Sequence, residues 1–308
     1  MKILITEPLD AEVVDNYAKK YTEFVFQQTT NFFSKKLSEQ ISAGKDCSGM
    51  IVRSQTRVSK KLVEQLPSLK IVISACSGSD NIDKRALQLF KIKYLNSANC
   101  NYESTAEHII CLLLALAKNL ILANNSLRDG HWCKNEFISQ KISGKILGII
   151  GLGKVGKCLA QKAVGLGLKV VAYDPYFTLK NNINKIKLVK LNTLINQSDF
   201  ISLCVPLTNL TNNLIGKNEL NLMKPSSFLI NCSRGKVVDE QALYTACKNN
   251  RIQGAALDVF SNEPEINNKL CQSNNIIVTP HIAGQTKESL IRSSEYALSS
   301  IIKYLKEI

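Results

Sequence analysis

The chain has 308 residues, 45% of them hydrophobic, and a formal net charge of +14. That length and apolar content suffice for one large or two medium domains with real cores, which excludes an intrinsically disordered chain. Lysine outnumbers arginine 32 to 7 and the basic residues are spread along the sequence rather than clustered, so the charge reads as compositional bias and no nucleic-acid partner is expected.

Residues 1 to 10 hold one lysine, a three-residue apolar run and then Glu7 and Pro8; this is too short for a signal peptide and reads as a first core strand. Short apolar runs at Lys2–Ile5, Glu23–Phe26, Gly49–Val52, Lys70–Ser74 and Ile92–Leu95 alternate with amphipathic segments, the pattern of βα units on a mostly parallel sheet. A long helix is predicted from about Ser104 to Leu127. Its apolar stretch from Ile109 to Ala123 is interrupted by Lys118 and Asn119 and falls short of the roughly 20 residues a membrane span needs, so a buried helix and no membrane partner are expected. His108 lies inside this helix and is predicted to be a packing histidine. His131 and Trp132, in the polar turn that follows, read as a structural cap.

A second series of strands is predicted at Lys145–Ile150, Lys169–Tyr173, Lys187–Val189, Phe200–Leu203, Ser227–Asn231, Gly254–Leu257 and Ile276–Thr279. Seven strands with intervening helices suit a doubly wound sheet, and Lys287–Ile308 follows as a closing helix. Ten cysteines are scattered through these elements without a CxxC pair, which predicts reduced, mostly buried thiols and a cytoplasmic protein. None of the three histidines sits at ligand spacing from a cysteine pair, so no metal site is expected.

Between a predicted strand and a predicted helix lies Gly151-Leu-Gly153-Lys-Val-Gly156. In that setting Gly151 permits the tight turn, Gly153 lets the backbone approach a pyrophosphate, and Gly156 lets the helix pack on its strand, with the helix amino terminus facing the negative charge. Asp174 ends the next strand, 18 positions beyond Gly156, where adenosine ribose hydroxyls are met; its carboxylate would repel a 2'-phosphate. NAD is therefore the expected cofactor, in preference to NADP.

Three further segments place polar residues directly after apolar runs: Arg234 after Leu229–Ser233, Asp258 and Glu263 after Ala255–Leu257, and His281 after Val278–Pro280. Each falls at the carboxyl edge of a predicted strand, where ligands bind in open α/β sheets. Arg234 offers a fixed bidentate charge for a carboxylate. His281 can exchange a proton near neutral pH, and Glu263 beside it would favour the imidazolium. Singly, each has an ordinary structural explanation. Together, in this order and beside a nucleotide motif, they favour hydride transfer at C2 of a small 2-hydroxy or 2-keto acid.

Val52-Arg53-Ser54-Gln-Thr56, Gly78-Ser-Asp80-Asn81-Ile-Asp83, the glycine motif with Asp174, Asn231-Cys-Ser-Arg234-Gly, Gly254-Ala-Ala-Leu-Asp258, Glu263-Pro264 and Pro280-His281 together resemble the D-isomer-specific 2-hydroxyacid dehydrogenase family, and within it the phosphoglycerate dehydrogenases. The resemblance covers essentially the whole chain. It implies that Arg234, Glu263 and His281 are catalytic, with Glu263 as the partner of His281. It also implies that Gly151, Gly153, Lys154, Val155, Gly156, Asp174, Pro206, Cys232, Ser233, Asp258 and Gly284 line the cofactor, and that Arg53, Ser77, Gly78, Arg234 and His281 meet the substrate. Two doubly wound parallel-sheet domains are implied, a flavodoxin-like substrate domain (1–97 with 287–308) and a Rossmann NAD-binding domain (98–286). A cleft would separate them, and a homodimer would form through the cofactor domains.

The sequence departs from the family pattern before Gly78, with Cys76 in place of a usual glycine and Ser74 in place of a common arginine that helps meet a substrate phosphate. Arg57 and Lys134 are the candidate replacements. The chain stops after its last helix, so the carboxyl-terminal regulatory domains of long phosphoglycerate dehydrogenases are not expected. A glyoxylate or hydroxypyruvate reductase or a D-lactate dehydrogenase would share the same triad. A corepressor on the same scaffold, in which the dinucleotide promotes assembly, is the non-enzymatic alternative.

Overall fold

The computed structural model describes residues 1–29, 31–97, 99–177, 186–266 and 268–308. They form two compact units, Met1–Asn101 with Gln285–Ile308, and Tyr102–Gly284. The domain boundary expected at 97/98 touches residue 98, which lies outside the described residues.

In the first unit, β1 (Lys2–Ile5), β2 (Val25–Gln28), β3 (Cys47–Val52), β4 (Ile71–Ser74) and β5 (Lys93–Asn96) make one parallel sheet in the order β2-β1-β3-β4-β5. Both faces are buried, as a parallel sheet requires. Ile3, Ile5, Ile51, Ile71 and Ile73 pack with Ala297, Leu298, Ile301, Ile302 and Leu305 of the helix Lys287–Glu307. Leu4, Met50, Val52 and Val72 face the other way, onto Leu62, Leu66 and Leu87. Alternation along each strand sends neighbours to opposite faces. β2 lies two residues later than its apolar pattern predicts: the Phe24 amide closes a turn on the Tyr21 carbonyl, and Val25 is the first residue in register, opposite Lys2. It is an edge strand, where Gln27 and Gln28 are tolerated and the hydrophobic signal does not mark its end.

The second unit holds β6 (Ile146–Ile150), β7 (Lys169–Tyr173), β8 (Ile186–Leu188), β9 (Phe200–Leu203), β10 (Phe228–Asn231), β11 (Gly254–Leu257) and β12 (Ile276–Val278). All are parallel, in the order β12-β11-β10-β9-β6-β7-β8. The order reverses between β6 and β9, the switch point at whose carboxyl edge ligands bind in such sheets. On one face Ile109, Leu112, Leu113 and Leu116 of the helix Tyr102–Ala117 pack with Leu159, Ala160 and Ala163 of the helix Lys154–Gly165 over Leu147, Ile149, Phe200 and Ile230.

The single helix expected from Ser104 to Leu127 is two, Tyr102–Ala117 and Leu120–Arg128, bent by 62°. Asn119 takes the left-handed conformation at φ 51°, which asparagine adopts more readily than most side chains. Segment 138–140 covers the break: the Gln140 amide donates to the Ala117 carbonyl, Ser139 to the Lys118 carbonyl, and Lys118 Nζ to the Gln140 carbonyl. No single helix among the described residues is long and apolar enough to cross a membrane.

At the opposite, amino-terminal edge of this sheet, Asp199 ties strands together. Its carboxylate accepts the Ile146 amide at 2.8 Å and Lys224 Nζ at 3.0 Å. Burial pushes the Asp199 carboxyl up, but the Ile146 amide and the Lys224 ammonium outweigh burial and leave it below the ordinary carboxylate range. Its stabilisation is therefore present above the unfolded-state value and lost as pH falls through the depressed one. Asp199→Ala is expected to cost about 1–3 kcal/mol at pH 7. The gap in urea midpoint between wild type and variant should narrow from pH 5 towards pH 3; a constant gap would contradict the assignment.

Candidate active site

The carboxyl edge of the seven-stranded sheet gathers the predicted cofactor residues. β6 leads into Gly151, whose φ of +98° favours glycine; a Cβ there would approach Val205 Cγ1 to 2.8 Å and press on the Cys204 carbonyl. A Cβ on Gly156 would fall on the Gly151 carbonyl oxygen, so the helix Lys154–Gly165 can start this close to the strand only with glycine. Gly153 differs, because a Cβ there would meet nothing within 4 Å. Packing within the chain does not demand that glycine, whereas an approaching ligand would. The helix has no acidic residue in its first turn, leaving its amide dipoles available to an anion. Asp174 holds the loop from the end of β7: Oδ2 accepts the Leu152 amide at 2.8 Å and Oδ1 the Tyr176 amide at 2.9 Å. Lys154 and Pro206 are exposed, Val155, Ser233 and Gly284 are half-buried, and Cys232 is buried. An open glycine at a positive helix end, with a carboxylate at the next strand, fits a dinucleotide.

After β10, buried Asn231 shapes the next turn. Its Oδ1 accepts the Ser233 amide and hydroxyl, at 3.0 and 2.8 Å, and its Nδ2 donates to the Arg234 carbonyl at 2.9 Å. Arg234 Nη1 donates to the Ser233 carbonyl at 2.6 Å. Gly235 lies directly against the backbone of Phe260 and Ser261, leaving no room for a Cβ. That contact joins the Arg234 turn to the loop carrying Glu263. The same loop is pinned by Glu240, which accepts the Ser261 amide at 2.6 Å, and by Glu263 itself, whose Oε1 accepts the Phe260 amide at 2.9 Å.

Glu263 Oε2 lies 2.6 Å from His281 Nδ1. Burial pushes the Glu263 carboxyl up, yet the hydrogen bond from His281, the Phe260 amide and the neighbouring charges of His281 and Arg234 hold it below the ordinary carboxylate range. With Nδ1 engaged by a carboxylate, Nε2 is the His281 atom left to exchange a proton. His281 has φ +54°, and the Glu263–Pro264 peptide is cis. A non-glycine residue at positive φ costs on the order of 1–3 kcal/mol. Buried Asp258 offsets this by accepting Thr279 Oγ1 and the amides of Ile282 and Ala283, at 2.5, 2.8 and 2.8 Å, each bond to its charge contributing about 1.5–3 kcal/mol. The turn is thus over-determined around His281.

His108 is not a packing residue. Its Nε2 lies 3.2 Å from Thr279 Oγ1 and 3.6 Å from Asp258 Oδ1. The donor atoms of His108, Cys232 and Asp258 lie within 4.8 Å of one another, a grouping that bears on the expected lack of a metal site. Asp258 already takes three protein hydrogens and His108 joins it through the Thr279 hydroxyl, while burial and then the Asp258 charge push the Cys232 thiol well up.

The predicted substrate residues Arg53, Ser77 and Gly78 belong to the first unit. Arg53 Nη1 donates to the Pro8 carbonyl and Nη2 reaches Gln285 Oε1, at 3.1 and 3.4 Å. Ser77 Oγ donates to Asn101 Oδ1, and the Gly78 carbonyl accepts Ser74 Oγ and Cys76 Sγ. Arg57 is exposed, as is Lys134 in the second unit. Sequence reasoning missed Glu7 and the work of Asn81: Glu7 accepts the amides of Arg53, Gln55 and Thr56, while Asn81 Nδ2 donates to the carbonyls of Arg53 and Thr56. The only signal for Glu7 was a carboxylate ending an apolar strand.

A family model described as the D-isomer specific 2-hydroxyacid dehydrogenase, NAD binding domain, matches residues 110–283. The chain belongs to the D-isomer-specific 2-hydroxyacid dehydrogenase family. Residues 110–283 of this 2-hydroxyacid dehydrogenase family member are accordingly its NAD-binding part, and its two parallel sheets are those of its relatives. It is 35% identical over 310 residues to the D-3-phosphoglycerate dehydrogenase of Methanocaldococcus jannaschii, covering 99% of this chain and 58% of that one. With the hydroxypyruvate reductase of Thermotoga maritima it shares 34% identity over 307 residues, 99% of this chain and 98% of the relative. The D-lactate dehydrogenase of Aquifex aeolicus, complexed with NAD and lactic acid, superposes with a TM-score of 0.88 at 28% identity, covering 99% and 96% of the two chains. The chain thus spans somewhat more than half the length of the first of these relatives.

Proposed function

We propose that the chain is an NAD-dependent D-2-hydroxyacid dehydrogenase that interconverts 3-phospho-D-glycerate and 3-phosphohydroxypyruvate, a step of serine biosynthesis. The observation that carries the reading is the 2.6 Å bond between His281 Nδ1 and Glu263 Oε2, at the same sheet edge as the glycine motif. Bound NAD supplies the acceptor for the C2 hydride. His281 takes the hydroxyl proton of the substrate on Nε2 and returns it to the carbonyl oxygen in the reverse direction. Glu263, held ionised, keeps the Nδ1 proton in place and balances the imidazolium that forms. Arg234 binds the substrate carboxylate as a planar, permanently charged donor. In this reading Met1–Asn101 with Gln285–Ile308 is the substrate unit, with Arg53 and the Ser77 and Gly78 amides as its contacts. Tyr102–Gly284 is the cofactor unit.

A second reading is a hydroxypyruvate or glyoxylate reductase. Two observations favour it: Ser74, fully buried and bonded back to its own loop, stands where a phosphate-binding arginine is common, and the hydroxypyruvate reductase relative matches nearly end to end. A homodimer through the second unit belongs to both readings; the exposed apolar side chains Leu120, Ile121, Leu127, Trp132 and Ile138 of that unit are candidates for its contact.

Steady-state NADH oxidation over 3-phosphohydroxypyruvate, hydroxypyruvate, glyoxylate and pyruvate tests the reading. The phosphorylated substrate should give the largest kcat/KM, NADPH should be poorer than NADH, and Arg57→Ala or Lys134→Ala should lower turnover of the phosphorylated substrate alone. A highest kcat/KM for hydroxypyruvate or glyoxylate moves the assignment to the second reading. Binding of NADH without turnover of any of the four sinks the enzymatic reading altogether. The same preparation should sediment at twice 34.2 kDa.

A further inference from the structure

We propose that His108 is a positioning residue for the acid/base turn: its Nε2–H fixes the Thr279 hydroxyl on the Asp258 carboxylate, which in turn holds the amides that follow His281. The inference rests on the proposed role of His281.

The geometry assigns the protons. Thr279 Oγ1 lies 2.5 Å from Asp258 Oδ1, the separation of a hydroxyl donating to a carboxylate. A hydroxyl has one proton. With that proton on Asp258, the 3.2 Å contact of Thr279 Oγ1 with His108 Nε2 requires the imidazole to donate. His108 is therefore held with a proton on Nε2, and each bond of the chain polarises the next.

Asp258 is fully buried, and its remaining capacity is spent on the turn, with the Ile282 amide on Oδ1 and the Ala283 amide on Oδ2, each at 2.8 Å. Thr279, Ile282 and Ala283 bracket His281 on both sides. The Glu263 bond fixes the imidazole of His281 but not its backbone. The backbone is set by Asp258, and the rotamer of the Thr279 link is set by His108. A helix more than 160 residues earlier in sequence thus braces the turn sideways, through one hydrogen bond per step.

His108→Phe keeps the ring volume and removes the donor, and His108→Gln restores an N–H at similar reach. At saturating 2-keto acid and NADH, His108→Phe should lower kcat about tenfold, the scale of one lost hydrogen bond, with KM and NADH affinity within about twofold. His108→Gln should recover most of that loss. Thr279→Val should lose as much as His108→Phe, and the double variant no more, because both break one chain. Independently of turnover, hydrogen exchange of the Ile282 and Ala283 amides should quicken in His108→Phe, and the 15N shifts of His108 in the wild type should report Nε2–H. If His108→Phe does not fold, Thr279→Val carries the same measurements. Wild-type exchange at the two amides in the folded variant overturns the proposal whatever happens to kcat, and so do additive losses in the double variant. A wild-type protein that turns over no 2-keto acid defeats the functional reading, while the exchange experiment still decides whether the turn is braced.

Discussion

His281→Asn is expected to lower kcat/KM by about 10²–10⁴-fold, the range that a positioned acid/base supplies, while thermal stability and NADH binding stay close to wild type. Asparagine is the informative replacement because it tolerates the left-handed backbone that His281 adopts at φ +54°. Its amide N–H can also still meet Glu263. What it cannot do is exchange a proton, so a loss with intact folding isolates that function. Residual activity within tenfold of wild type would remove His281 from the role. The pH profile gives a companion measurement. The Glu263 carboxyl, pushed up by burial and pulled further down by His281, the Phe260 amide and Arg234, is ionised throughout the neutral range. Its support of an imidazolium is present above the ordinary carboxylate value and disappears as pH falls through the depressed one. Glu263→Gln should therefore move the acid/base limb of kcat/KM to lower pH, and an unmoved limb would separate the pair functionally.

The second large effect is expected from one added methyl group. Gly235 packs against the main chain of Phe260 and Ser261, so Gly235→Ala must displace either the Arg234 turn or the Glu263 loop; backbone cannot rotate out of the way as a side chain can. Overpacking of this kind costs about 1–3 kcal/mol and occasionally more. The catalytic cost should be larger, because a shift near 1 Å in a reacting group is worth about 10²-fold. Urea midpoint and kcat/KM should fall together, and an alanine variant indistinguishable from wild type in both would show that the two limbs are not in register through this contact.

Much of this was legible in the sequence. Runs such as Phe228–Ile230 and Ala255–Leu257 are buried on both sheet faces and so read as continuous apolar segments, and two glycines of the β6 turn, Gly151 and Gly156, are forced by close backbone contacts. His281 and Glu263, written 18 positions apart, come to 2.6 Å because each follows a strand at one sheet edge. What escaped was of another kind. The bend at Asn119 depends on segment 138–140 returning to satisfy the broken helix end, which local periodicity does not encode. The bracing histidine at position 108 sits in an apolar helix and shows its partner only when Thr279 arrives from the last strand. Glu7, Asn81 and Glu240 serve main-chain amides and carbonyls, and such partners leave no side-chain pattern to read.

The sheet built from β1 to β5 has one face lined by Ile3, Ile51 and Ile71 that is closed by Leu298, Ile301 and Leu305. As the ribosome releases the chain from its amino end, all five strands emerge while that covering helix is still to be made. The intervening unit, continuous from Tyr102 to Gly284, can complete its core first. Of the two sheets, the one whose strands are made first is thus the later to mature, and for about the time needed to translate the intervening residues its greasy side must be tolerated or shielded.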